Sequence, residues 1–223
     1  MTLSETDHIL LPGLFRRLRD IIRPVTNRLF TADKFMSNHF DGKYEAEIKY
    51  RLADHSAFLS QLSTMHAEPF VVNNEETDWF FDTPQTHLAD DNVSMSVRTM
   101  TPSGIKLWIV KGPAASECKA INIDDHEHVR NMLLTLGYRC TMTLTKTRSV
   151  WFLGDIHITL DHINGAGWFA EFAIMTHDET KLAEYREQLR EKAAEFGLSD
   201  DMIEKQSYKQ LVSAMQKNNC NAE

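Results

Sequence analysis

Between Tyr44 and Leu52 the chain alternates without a break. Tyr44, Ala46, Ile48, Tyr50 and Leu52 occupy one parity; Glu45, Glu47, Lys49 and Arg51 occupy the other. A period of two belongs to a β-strand, so these nine residues present one apolar face and one wholly charged face. The same separation recurs downstream. Val93, Met95 and Val97 alternate with Ser94, Ser96 and Arg98. Trp108 and Val110 alternate with Leu107, Ile109 and Lys111. Lys146 and Arg148 share a parity, as do His157, Thr159 and Asp161 against Ile156, Ile158 and Leu160. Glu171 stands between Ala170, Phe172 and Ile174. Such a sheet has an apolar side that needs helices and a charged side that must face either bulk water or an enclosed lumen. An antiparallel sheet with one solvated face is the open alternative. The charges, however, are single residues of both signs rather than long solubilising runs. That favours closure, and the expected fold is α+β: an antiparallel closed β-barrel with helices packed outside.

The remaining elements follow from local signals. Strands are expected near 69–82, ending at Asp82-Thr83-Pro84, and in a hairpin of 93–100 and 105–111 around Pro102-Ser103-Gly104. Further strands fall near 139–153, 155–163 and 168–176, linked by Gly154 and by Asn164-Gly165. Helices are expected over 54–66, 124–136, 178–196 and 207–215, the second opened by Asp124 as N-cap and followed by Gly137. No repeat is present. Gly165-Ala166-Gly167-Trp168-Phe169-Ala170 has the spacing of a dinucleotide fingerprint, but no βαβ unit surrounds it, so it reads as a hairpin turn. Asp124-Asp125-His126-Glu127-His128 resembles a metal cluster and reads instead as a helix cap. Trp79 and Trp108 lie on strands and are expected to pack against a helix.

Residues 1–35 differ from the rest, with six basic residues against four acidic ones in a chain whose net charge is −8. Leu14, Leu18, Ile21, Ile22, Val25 and Leu29 recur at helical spacing around Pro24, and Met36 follows directly. This segment is read as a basic amphipathic extension outside the working domain of residues 36–216, with 217–223 as a polar tail. The acidic balance argues against a nucleic-acid partner. No apolar run is long enough for a membrane span, and Ile9-Leu10-Leu11 is too short for a secretory signal. The three cysteines, Cys118, Cys140 and Cys220, form no CxxC and are expected to be reduced thiols in a cytoplasmic protein.

Cations and carboxylates gathered on one surface match a metal–polyphosphate ligand, because hard divalent ions take carboxylate oxygens while Arg and Lys take phosphate oxygens. Glu45 and Glu47 lie two apart on a strand, so both carboxylates leave the same face about 7 Å apart. Glu45-Ala46-Glu47-Ile48-Lys49 fits the E-x-E-x-K signature of the CYTH superfamily, the triphosphate tunnel metalloenzymes. Arg98, Lys111 in the stretch Leu107 to Pro113, Lys146-Thr147-Arg148, Asp161 and Glu171 follow in the family's order. The chain most resembles the bacterial class IV adenylate cyclases. Matching stretches include His39-Phe40 through Glu45, Pro102 through Pro113, Leu136-Gly137-Tyr138, Asp161 through Glu171, and Ser207-Tyr208. The resemblance spans about residues 36 to 215.

That resemblance implies a barrel-like tunnel converting ATP to cyclic AMP and pyrophosphate with Mg²⁺ or Mn²⁺, in a homodimer. It implies Glu45, Glu47 and Glu171 as metal ligands, with Asp161 as a further ligand or orienting group. Lys49, Arg98, Lys111, Lys146 and Arg148 would grip the triphosphate, and Lys111 or Lys146 would stabilise the leaving pyrophosphate. Arg51 is set apart as a residue of the mouth. Two alternatives are carried forward: a thiamine- or inorganic-triphosphatase using the same tunnel, and a polyphosphate sensor without turnover.

Overall fold

The computed structural model describes residues 39–84 and 87–220. The extension of residues 1–35, Met36 and the last three residues of the expected tail lie outside them. Eight strands are present: β1 (Tyr44–Leu52), β2 (Glu68–Asp82), β3 (Ser94–Thr101), β4 (Lys106–Lys111), β5 (Cys118–Asn122), β6 (Arg139–Leu153), β7 (Ile156–Ile163) and β8 (Gly167–Thr176). Among the described residues four α-helices accompany them: α1 (His55–Thr64), α2 (His126–Thr135), α3 (Leu182–Glu195) and α4 (Tyr208–Cys220).

All eight strands form one antiparallel sheet in the order β1-β8-β7-β6-β2-β3-β4-β5. β1 and β5 are its edges, and the sheet curls until they meet. Tyr44 bridges Glu117, the Glu45 amide donates to the Ser116 carbonyl (2.7 Å), and the Cys118 amide donates to the Lys43 carbonyl (3.0 Å). The closure expected of a barrel is thus made at one end of the seam by a short tie, because β5 has only five residues with which to pair. β5 itself escaped the sequence reading; its Cys-Lys-Ala-Ile-Asn lacks the alternating apolar face that marks the other strands.

The apolar parities cover the outside. Ala46, Ile48 and Tyr50 of β1, Ile158 and Leu160 of β7, and Ala170, Phe172 and Ile174 of β8 form one core with Phe58 and Leu62 of α1 and Leu189 and Ala193 of α3. Removing this much aliphatic and aromatic surface from water anchors both helices to the sheet. Met95 and Val97 of β3, with Trp79, Trp108 and Val110, receive Val129 and Leu133 of α2, so both tryptophans pack a helix as expected. The Asp54 carboxylate caps α1 by accepting from the amides of Ser56 (2.8 Å) and Ala57 (3.2 Å). At α2 the cap is Asp125 rather than the expected Asp124, accepting from the His128 amide at 3.0 Å. Gly137 closes α2 with φ of 90°, a left-handed conformation that favours glycine. The Gly165–Gly167 segment makes the β7–β8 hairpin turn, and Ile163 pairs with Gly167 across it.

α4 runs to Cys220, beyond the expected end near residue 215. Its Leu211 and Tyr208 pack on Ile163 and Phe169, residues sharing a parity with Asp161 and Glu171, so α4 covers one end of the charged face. At the other end of that face Val71, Met100, Val150 and Phe152 form an apolar plug. No helix among the described residues is long and apolar enough to cross a membrane.

Candidate active site

Register decides which charges meet. Lys49 lies opposite Glu171, Glu76 opposite Lys146, Asp78 opposite Arg98, and Arg148 opposite Asp161. Opposed positions on neighbouring strands put side chains of one face in contact, and here each pair joins opposite charges. The concave face therefore carries every charged site residue named from the sequence: Glu45, Glu47, Lys49, Arg98, Lys111, Lys146, Arg148, Asp161 and Glu171.

Arg148 is the most heavily held cation. Its Nε donates to Asp161 Oδ1 (2.7 Å), and its Nη2 donates to Asp161 Oδ2 (2.5 Å) and Glu171 Oε2 (2.8 Å). Both Asp161 oxygens are thereby committed to one guanidinium, and Asp161 is fully buried. Arg98 makes the matching fork to Asp78, with Nε and Nη2 each at 2.8 Å.

Beneath these lies Glu76, which is 0% exposed. Its carboxylate contacts Lys146 Nζ (2.5 Å), Arg98 Nη2 (3.1 Å) and Arg148 Nη1 (3.6 Å). Burial acts to raise its pKa, but Arg148, Arg98 and Lys146 outweigh burial and hold it at about 2. Glu76 and Asp78 were missed in the sequence because Glu75 and Glu76 are adjacent, which hides the charged parity. Asn73, with φ of 53°, also sits where the β2–β6 register shifts, resetting the strand's phase. The signal that would have found them is the alternation of Glu76, Asp78 and Phe80 with Trp79 and Phe81.

The metal candidates gather nearer the seam. Lys111 Nζ donates to Glu45 Oε2 (3.0 Å) and lies 3.6 Å from Glu47 Oε2. Glu45, the first of these, holds the Lys111 ammonium well above its usual pKa. Gly112 follows at φ of 99°, and a Cβ there would strike the Asn92 carbonyl; glycine lets β4 turn away directly after Lys111. Burial and then the Glu47 carboxylate push the Glu171 carboxyl above the usual range, marking an acidic excess on this side. Glu45, Glu47, Lys111, Ser116, Cys118 and Arg186 line a cavity of about 240 Å³. Among the described residues no three such donors converge on one preformed metal point.

The donor set nevertheless fits Mg²⁺ or Mn²⁺. These ions take carboxylate oxygens, and Mg²⁺ is commonly held by one or two carboxylates plus substrate phosphates rather than by an all-protein cage. Charge balance points the same way. Glu45, Glu47, Glu76, Asp78, Asp161 and Glu171 outnumber Lys49, Arg98, Lys111, Lys146 and Arg148 by one. An interior with this slight carboxylate excess suits bound divalent cations.

Three further residues frame the site. The Tyr208 ring lies beneath Lys49 Nζ (4.2 Å) and Lys146 Nζ (4.8 Å), bracing both ammonium groups. Burial, followed by Glu171, drives the Tyr208 phenol well above its ordinary pKa. Arg51 belongs to the mouth: Nη1 donates to the Ala166 carbonyl and Nη2 to Glu204 Oε2, both at 2.8 Å. Cys118 and Cys140 are free thiols, and burial together with Glu45 pushes Cys118 up to about 11, away from reactivity.

A curled antiparallel sheet with a buried, two-signed charge cluster on its concave face defines the chain as a β-tunnel protein. The CYTH domain family matches residues 43–208, and the chain belongs to that family. Adenylate cyclase CyaB of Aeromonas hydrophila is 49% identical over 175 residues, covering 78% of this chain and 92% of that protein. An X-ray structure from Vibrio parahaemolyticus, described provisionally as an adenylate cyclase, is 47% identical with a TM-score of 0.76. That match covers 78% of this chain and 99% of the other. A Pyrococcus horikoshii protein, 20% identical with a TM-score of 0.68 over 77% of this chain and 99% of its own, shows the same fold.

Proposed function

We propose that this chain is a class IV adenylate cyclase, dependent on Mg²⁺ or Mn²⁺, that converts ATP to 3′,5′-cyclic AMP and pyrophosphate. The observation that carries the reading is the meeting of three carboxylates, Glu45, Glu47 and Glu171, with five cations on one concave face. The choice of a cyclase over a triphosphatase is supported by the Aeromonas hydrophila relative, which is named an adenylate cyclase.

In this reaction the ribose 3′-oxygen attacks the α-phosphorus in line. The O3′–P bond forms, the bond from the α-phosphorus to the bridging oxygen breaks so that pyrophosphate departs with that electron pair, and the hydroxyl proton passes to solvent. Lys49, Arg98, Lys111, Lys146 and Arg148 bind the phosphates. Asp78 and Asp161 fix the two guanidinium planes, so each arginine meets phosphate oxygens with its orientation already set. Lys111 or Lys146 would stabilise charge on the departing pyrophosphate. Glu45, Glu47 and Glu171 would hold the divalent ion, which supplies Lewis-acid polarisation and lowers the pKa of the attacking hydroxyl. Asp161, with both oxygens on Arg148, acts as an orienting group rather than a ligand.

Incubating the purified protein with ATP and Mn²⁺ tests the reading. Cyclic AMP with stoichiometric pyrophosphate is the expected product. Free phosphate instead indicates the triphosphatase alternative, and unchanged ATP indicates a sensor without turnover.

A further inference from the structure

The five tunnel cations all stand against carboxylates, and Arg190 at the mouth stands against Glu187 and Asp200. Arg186 differs. It belongs to α3, outside the strand layer, yet its side chain reaches the β1–β5 seam, where Nη2 donates to Ser116 Oγ at 2.5 Å. Among the described residues it has no carboxylate within ion-pair distance. It lines the 240 Å³ cavity beside Glu45, Glu47 and Lys111. It also lines an adjoining cavity of about 440 Å³ with Lys49, Lys205 and Ser207. Only Glu47 shares that position between the two. Lys205 likewise has no carboxylate partner among the described residues.

We propose that Arg186 forms an outer phosphate position at the tunnel mouth, taking the terminal phosphate of a bound polyphosphate whose remaining phosphates lie on the inner cations. The inference rests on the triphosphate reading of the tunnel. A guanidinium held by one neutral hydroxyl, with no ion pair among the described residues, keeps its remaining N–H donors available, and its planar fork suits phosphate oxygens. The short seam explains how a residue of an outer helix arrives there: β1 and β5 are tied only through residues 116–118, and the cavity that Arg186 lines lies beside that tie.

Chain length supplies the test, because a pyrophosphate bound on the inner cations stops short of the mouth and a triphosphate reaches it. Calorimetric titration of the full chain with inorganic triphosphate and with pyrophosphate, each with Mg²⁺, is compared for wild type, Arg186→Gln and Arg186→Lys. Arg186→Gln is expected to weaken triphosphate about tenfold or more and pyrophosphate by less than about twofold. Arg186→Lys, keeping the charge but losing the fork, is expected to fall between, and it serves if the glutamine variant does not fold. Equal losses for both ligands, or none, overturn the proposal. Wild type that binds neither ligand overturns the triphosphate reading itself; wild type that binds both, with variants showing no selective loss, removes only the role of Arg186.

Discussion

Glu76 Oε1 lies 2.5 Å from Lys146 Nζ, with both side chains withdrawn from water beside Arg98 and Arg148. The contact pairs a buried ammonium with a buried carboxylate, and Arg98 and Arg148 share the same counter-ion. A carboxyl held at about 2, against an ordinary 4.5, stabilises the fold above about pH 4.5 and loses that contribution as pH falls toward 2. Glu76→Gln should therefore lower stability at pH 7 by roughly 3 kcal/mol, and the gap to wild type should close at pH 2–3. Urea unfolding of both proteins across that range checks it. A gap independent of pH would assign the loss to packing instead.

Glu45→Ala or Glu47→Ala should abolish cyclic AMP formation through loss of the divalent ion while leaving the fold intact. Both residues point into the concave face, whereas the core of β1 is built from Ala46, Ile48 and Tyr50. Circular dichroism and a thermal midpoint close to wild type, together with an absence of product at saturating Mn²⁺, are the expected results. Normal turnover in both variants would remove them as ligands.

Arg148→Lys replaces a planar fork with a point charge, leaving Asp161 with one bond where it had two. The KM for ATP should rise and kcat/KM should fall about tenfold to a hundredfold, with charge preserved. Steady-state kinetics distinguish this from a purely electrostatic role, which the lysine would satisfy.

A chain beginning at Met36 should fold and make cyclic AMP at the full-length rate, since the family match begins at residue 43. Comparing kcat for the two proteins checks this. A dead or insoluble truncation would give residues 1–35 a part in the working domain.

Several site residues were legible because a strand writes its two faces into the sequence in alternation. Glu45, Glu47 and Lys49 stand out against Ala46, Ile48 and Tyr50, and so does Arg98 between Val97 and its neighbours. Glu76 lacked this contrast: Glu75 beside it is exposed, and the register shift near Asn73 breaks the parity that would have pointed inward. Arg186 was invisible for a different reason. A charged residue on an amphipathic helix reads as solvated surface, and only the arrival of α3 beside the Ser116 seam gives it another role.

Local periodicity by itself determined that strands would carry charge on one side and apolar bulk on the other, and with it an α+β protein with helices on the apolar side. It placed the charges of each strand on one side, and the family resemblance implied which of them belong to one site. Pairing partners came from tertiary structure alone. That Lys49 faces Glu171, that Arg148 takes Asp161, and that three cations converge on Glu76 depend on strand order and register between segments up to 122 residues apart. A strand's own side-chain period is set by backbone geometry within a few residues, whereas the neighbour it meets is chosen by the packing of the whole sheet.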